Sequence, residues 1–113
     1  MWRAVRKQLI CPQCGTVMAE VAYRSFPPRL RVISLEGIEV PPESVALQLQ
    51  RAKAAAGNAT GGPARDRVTF LERNLSELVF DLRCRNGHST LRTMPQVARA
   101  VRRAGGQWVE LRS

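Results

Sequence analysis

Apolar and polar residues in this chain follow two periods, and the places where the period changes divide it into elements. From Thr16 to Arg24, Val17, Ala19, Val21 and Tyr23 fall on one side and Thr16, Glu20 and Arg24 on the other. That period of two marks a strand with one buried face. With Gln8-Leu9-Ile10 ahead of it, the first segment reads as strand, tight knuckle, strand. Ser25-Phe26-Pro27-Pro28 ends it, because proline fixes φ and has no N–H to offer a ladder. A further strand is expected at about 30–35, closed by Glu36-Gly37.

After Pro41-Pro42-Glu43-Ser44 the chain becomes a run of strong helix formers, Val45 to Ala56, with Gly57 just past its end. This predicts a helix over about 43–56, within an insertion of about 41–56. Residues 57–66 are small or turn-forming, have nothing to anchor a core, and predict a flexible loop. Trypsin is expected to cut first at Arg65 or Arg67, beside that loop. The apolar run Val68–Leu71 fits either a strand or the start of a helix, so residues 68–74 stay open. Leu78, Phe80, Leu82 and Cys84 then alternate with Glu77, Val79, Asp81 and Arg83, which is again a strand. Asn86-Gly87 turns it back into a partner at 89–92, since Asn-Gly between alternating runs is a strong hairpin signal. Thr93 is placed to cap a helix reaching about Ala104, which Gly105-Gly106 stops. A last short strand is expected at 107–111.

At 113 residues the chain fits one domain, 1–113, of mixed α+β class. Its net charge of +9 is unevenly spread. Residues 1–31 hold six basic side chains against Glu20, and 83–113 hold seven arginines against Glu110, while 32–82 have five basic and seven acidic residues. Basic ends brought together would form a positive surface suited to phosphate. The contacts expected from this are Arg3, Arg6, Lys7, Arg85, Arg92, Arg99, Arg102 and Arg103, the last three on the polar side of the final helix opposite Val97 and Val101. A solvated basic surface with no partner has the same pattern. Trp2 and Trp108 could stack on bases or serve in a core or contact. No apolar run is long enough for a membrane helix, and the basic start lacks a signal peptide's apolar stretch, so a cytoplasmic location is expected.

The candidate chemistry lies in Cys11-Pro12-Gln13-Cys14-Gly15 and Cys84-Arg85-Asn86-Gly87-His88. These motifs use all three cysteines and the single histidine of the chain. Each follows a strand and contains a glycine that lets the backbone fold back and aim its N–H groups at sulfur. Three thiolates and an imidazole select zinc over harder ions and leave no coordination position open for catalysis. A redox dithiol would instead sit at a helix N-terminus within a βαβ unit. The CPxCG and CxxGH elements resemble the two knuckles of a zinc ribbon, over about 8–24 and 78–92. The resemblance implies Zn2+ held by Cys11, Cys14, Cys84 and His88 on a small antiparallel β platform, with a helical insertion between the ligand pairs and a helix after them. Proteins of this type are common in transcription and ribosomal assemblies. The expected function is therefore non-enzymatic binding of nucleic acid, RNA ahead of DNA. Docking on RNA polymerase or a ribosomal factor, and a zinc- or redox-responsive regulator, are the alternatives. No phosphate loop, nucleophile elbow or zinc-protease motif is present, and no small-molecule substrate is implied.

Overall fold

The computed structural model describes residues 4–25 and 28–111. Ten elements follow in the order β1 (Val5–Ile10), β2 (Val17–Ser25), β3 (Pro28–Ser34), β4 (Glu43–Ser44), α1 (Val45–Ala56), α2 (Pro63–Arg73), β5 (Leu78–Arg83), β6 (Ser89–Thr93), α3 (Met94–Arg103) and β7 (Trp108–Glu110). The strands form two sheets, β3-β2-β1-β7 and β4-β5-β6. All pairings are antiparallel except β1 with β7, so the α+β class holds. Among the described residues no helix is long and apolar enough to cross a membrane.

The two sheets meet face to face across the main core. Leu9, Val21, Leu30, Val32 and Val109 from the first sheet pack with Phe80 and Leu82 from the second and with Val97 and Val101 of α3. A bulge in the β1–β2 register after Leu9 places both Met18 and Ala19 inside, because the extra residue resets the alternation just before the first knuckle. The opposite face of β5 is also covered. Val79 and Leu91 bury against Val45, Ala52 and Ala56 of α1 and Val68 and Leu71 of α2. The insertion is thus a helical hairpin clamped onto the second sheet, where Arg67 of α2 reaches Asp81 at 2.6 Å and Ser89 at 2.8 Å.

Three expectations need correction. The helix expected from 43 begins at Val45, because Ser44 accepts from the Leu47 N–H as its cap while Glu43–Ser44 pair with β5. The expected loop at 57–66 ends at Gly62. Pro63 suits the first turn of a helix, and Arg65 is fixed by donating from Nε to the Ala59 carbonyl at 3.0 Å. Residues 68–73 belong to that helix, and Asn74 caps it. In β5, Val79 is as buried as Phe80, because each face of this strand has its own core. The expected Thr93 cap is present, with Gln96 completing a reciprocal capping box at the start of α3, and β7 lies within 107–111.

The revised boundaries move the weakest point of the chain. A low-specificity protease should cut first between Gly57 and Gly62, and trypsin should spare Arg65 and Arg67, as peptide mapping by mass spectrometry would show. Early tryptic cleavage at either arginine would mean that the first turn of α2 does not hold.

Candidate metal centre

Each knuckle closes on a cysteine with two backbone hydrogen bonds and a glycine, the second being one residue shorter than the first. In the first, the Cys11 N–H donates to the Thr16 carbonyl at 2.9 Å and the Gly15 N–H to the Cys11 carbonyl at 3.0 Å. In the second, the Cys84 N–H donates to the His88 carbonyl and the Gly87 N–H to the Cys84 carbonyl, both at 3.0 Å. Gly15 and Gly87 sit at φ 74° and 84°, a region that side chains with a Cβ enter only at a cost. Aligned on these glycines, His88 occupies the place of Thr16, and Asn86 the place of Cys14. His88 thus sits two positions past the Cys14 place on this alignment, or one position later when counted from each knuckle's first cysteine, and the longer reach of the imidazole can make up the difference.

The first knuckle joins β1 to β2 and the second joins β5 to β6, so the ligands come from different sheets and converge at one edge of the main core. The three Sγ atoms and a ring nitrogen of His88 all lie within 4.8 Å of one another. His88 Nδ1 is 3.3 Å from Cys84 Sγ and 3.8 Å from Cys11 Sγ, while Cys14 Sγ is 3.6 Å from Cys84 Sγ. A tetrahedral zinc site with ordinary bond lengths has donor–donor edges of about 3.5 to 3.8 Å. Cys11 and Cys84 are buried, and Cys14 and His88 are half-buried. The donor set and spacing can hold a metal ion.

The electrostatics differ from one sulfur to the next. The Thr16 hydroxyl, 3.1 Å from Cys14 Sγ, does most to bring that thiol down to about 5. Burial pushes Cys11 up. Burial also opposes ionisation of Cys84, but the backbone N–H groups of His88 and Asn86 outweigh it and leave this thiol below its ordinary value. Donation from the imidazole to the sulfurs of Cys14 and then Cys84 raises His88. Backbone and hydroxyl donors thus already stabilise negative sulfur at two of the three cysteines, as a cation at the centre requires.

The expected phosphate contacts are less uniform. Lys7 Nζ donates to the Ala104 carbonyl at 2.8 Å and the Val101 carbonyl at 3.3 Å, capping the C-terminus of α3. Arg92 is half-buried and donates to the carbonyls of Leu91 and Leu111 at 2.7 and 2.8 Å, and burial lowers its guanidinium below the ordinary value. Both side chains brace the fold. Arg6 pairs with Glu20 at 2.9 Å while remaining largely exposed. Arg85, Arg99, Arg102 and Arg103 are exposed, and Arg3 lies outside the described residues, as does Trp2. The sequence reasoning passed over Thr16 and Asn86 as supports of the site, although each stands beside a knuckle glycine. It also passed over Arg29 and Arg31 of β3, whose alternation with Leu30 and Val32 marks them as outward-facing.

Compared with protein-family models, with curated proteins and with solved structures, the chain has no significant match.

Replacing Gly15 or Gly87 by Ala should each destabilise the protein by about 1 kcal/mol or more in urea titrations, because the backbone there is left-handed. Open space surrounds both positions, so backbone strain and not a clash would be responsible. Unchanged midpoints would mean that the knuckles relax without these conformations.

Proposed function

We propose that this chain is a non-enzymatic structural-zinc protein that binds nucleic acid, RNA ahead of DNA, within a ribosome or transcription assembly. The convergence of four donors from two hairpins carries the zinc half of this reading. Three sulfurs and one imidazole nitrogen suit zinc, and because the protein supplies all four ligands the ion would keep no position for an activated water. Its work is mechanical: it ties the β1–β2 hairpin to the β5–β6 hairpin, which hydrogen bonds leave in separate sheets.

The nucleic-acid half rests on charge. The net charge is +9, and arginine, which contacts phosphate through two parallel N–H donors, supplies most of the cations. Exposed Arg99, Arg102 and Arg103 line the solvent side of α3, whose other side is fixed by buried Val97 and Val101. A protein-docking adaptor is the second reading. A groove of about 720 Å³ between β3, the start of β5 and α3 favours it, because Tyr23, Leu30, Leu78, Met94 and Ala98 give the groove an apolar lining.

Elemental analysis of reduced protein should find about one zinc per chain. Cys84→Ser should release it and loosen the junction between the sheets, seen as loss of near-ultraviolet circular dichroism, since ligation and folding are coupled in such sites. A metal-free chain with an intact junction would defeat the zinc reading. Affinity purification from native extract with and without nuclease separates the two partners: nuclease should release the assembly if nucleic acid holds it, and should leave a protein-docked complex intact.

A further inference from the structure

The cross-strand register shows what the first sheet presents on the side away from the core. Gln8 stands beside Trp108 on one side and Glu20 on the other, and Glu20 beside Ile33. One step along the strands, Arg6 is opposite Ala22, and Ala22 opposite Arg31. One step further, Arg24 is directly opposite Arg29. Among the described residues no helix or second sheet covers this face: Arg6, Arg29, Arg31 and Trp108 are exposed, and Trp108 keeps 62% of its surface in water. Four arginines therefore occupy two adjacent rows around the small side chain of Ala22, with an exposed indole one row away.

Like charges directly opposite on a sheet are destabilising. Burial, then Arg29 and Arg31, push the Arg24 guanidinium below its ordinary value. Glu20, in the neighbouring row, is paired with Arg6, and Glu39 stands opposite Ile33 at the end of that row. An anionic partner would remove the repulsion, and the indole would give it a flat surface on which to stack.

We infer that the outer face of the four-stranded sheet is a binding surface for single-stranded nucleic acid, with Arg24, Arg29 and Arg31 on phosphates and Trp108 under a base. The inference rests on the nucleic-acid reading proposed above and deepens it by naming the surface and the strandedness. Shape selects a single strand. Four strands span about 14 Å between the outer backbones, whereas a major groove about 12 Å wide admits a helix or a two-stranded ribbon. A splayed single strand can lie across an open sheet, stacking on aromatic groups while cations follow its backbone.

The test uses fluorescence anisotropy with a labelled twelve-nucleotide oligouridine and the zinc-loaded full chain. Replacing Arg24, Arg29 and Arg31 together by Gln should weaken binding at least about tenfold at low salt and flatten the log-affinity against log-salt slope by about 2 units, near 0.7 for each lost contact. Trp108→Ala should weaken binding by roughly 5- to 150-fold and leave the slope unchanged. These side chains lie on the face away from the core, so both variants should keep wild-type zinc content and a cooperative thermal transition. The triple variant Arg99→Gln, Arg102→Gln, Arg103→Gln on α3 should weaken binding less than the sheet arginine variant does. If the sheet variants bind like wild type, or the α3 variant alone loses affinity, the surface is misassigned while the nucleic-acid reading stands. Tighter binding to a duplex than to the single strand would likewise overturn the inference and spare that reading. Absence of affinity for either form at low salt would remove both, and equal competition by polyglutamate, with Trp108→Ala silent, would reduce the face to a generic anion surface.

Discussion

Four side chains from two distant stretches of sequence meet at one point, and the relation between the two sheets depends on that meeting. Each sheet has its own ladder, and the apolar contact between them, from Leu9 and Val21 to Phe80 and Leu82, has no direction of its own. A metal ion held by Cys11, Cys14, Cys84 and His88, as proposed, would supply a directional constraint at the edge of that core. A small α+β protein with a divided hydrophobic core gains most from such a constraint, because neither core alone is large.

The knuckles illustrate how local backbone chemistry prepares a site. In each, two backbone hydrogen bonds and one left-handed glycine close the turn around a cysteine. Donors then collect on the sulfurs: the Thr16 hydroxyl on Cys14, and the His88 N–H on Cys84 at 3.3 Å. Cys11, the most deeply placed, is held up by burial and depends most on a cation to ionise. With the glycines matched, His88 stands two places past the Cys14 position, so the second turn, one residue shorter between cysteine and glycine, offers an imidazole nitrogen in place of a second sulfur.

The parts of this structure visible in the sequence are those specified by local chemistry. The knuckles, the hairpin turn at Asn86-Gly87 and the Thr93 cap of α3 each depend on a few neighbouring residues, and each was readable. Residues 57–74 were not. Gly61-Gly62-Pro63 looks like the middle of a loop, yet Pro63 also starts a helix well, and the choice is made by Val68 and Leu71 finding Val45, Ala52 and Val79. Strand β5 misled for a related reason, since a strand covered on both faces loses its simple alternation. Among the basic residues, charge alone did not distinguish Lys7 and Arg92, which hold backbone carbonyls, from Arg29 and Arg31, which face water; strand register does.

The most direct test of the central claim is the visible absorption of the metal-free protein titrated with cobalt(II), which follows zinc into tetrahedral sites and reports its ligands. The account expects intense tetrahedral d–d bands and a strong thiolate-to-cobalt charge-transfer band, both saturating at about one equivalent and both abolished by adding zinc. Weak octahedral bands, or a charge-transfer intensity that Cys11→Ser or Cys84→Ser leaves unchanged, would contradict a closed site of three thiolates and one imidazole.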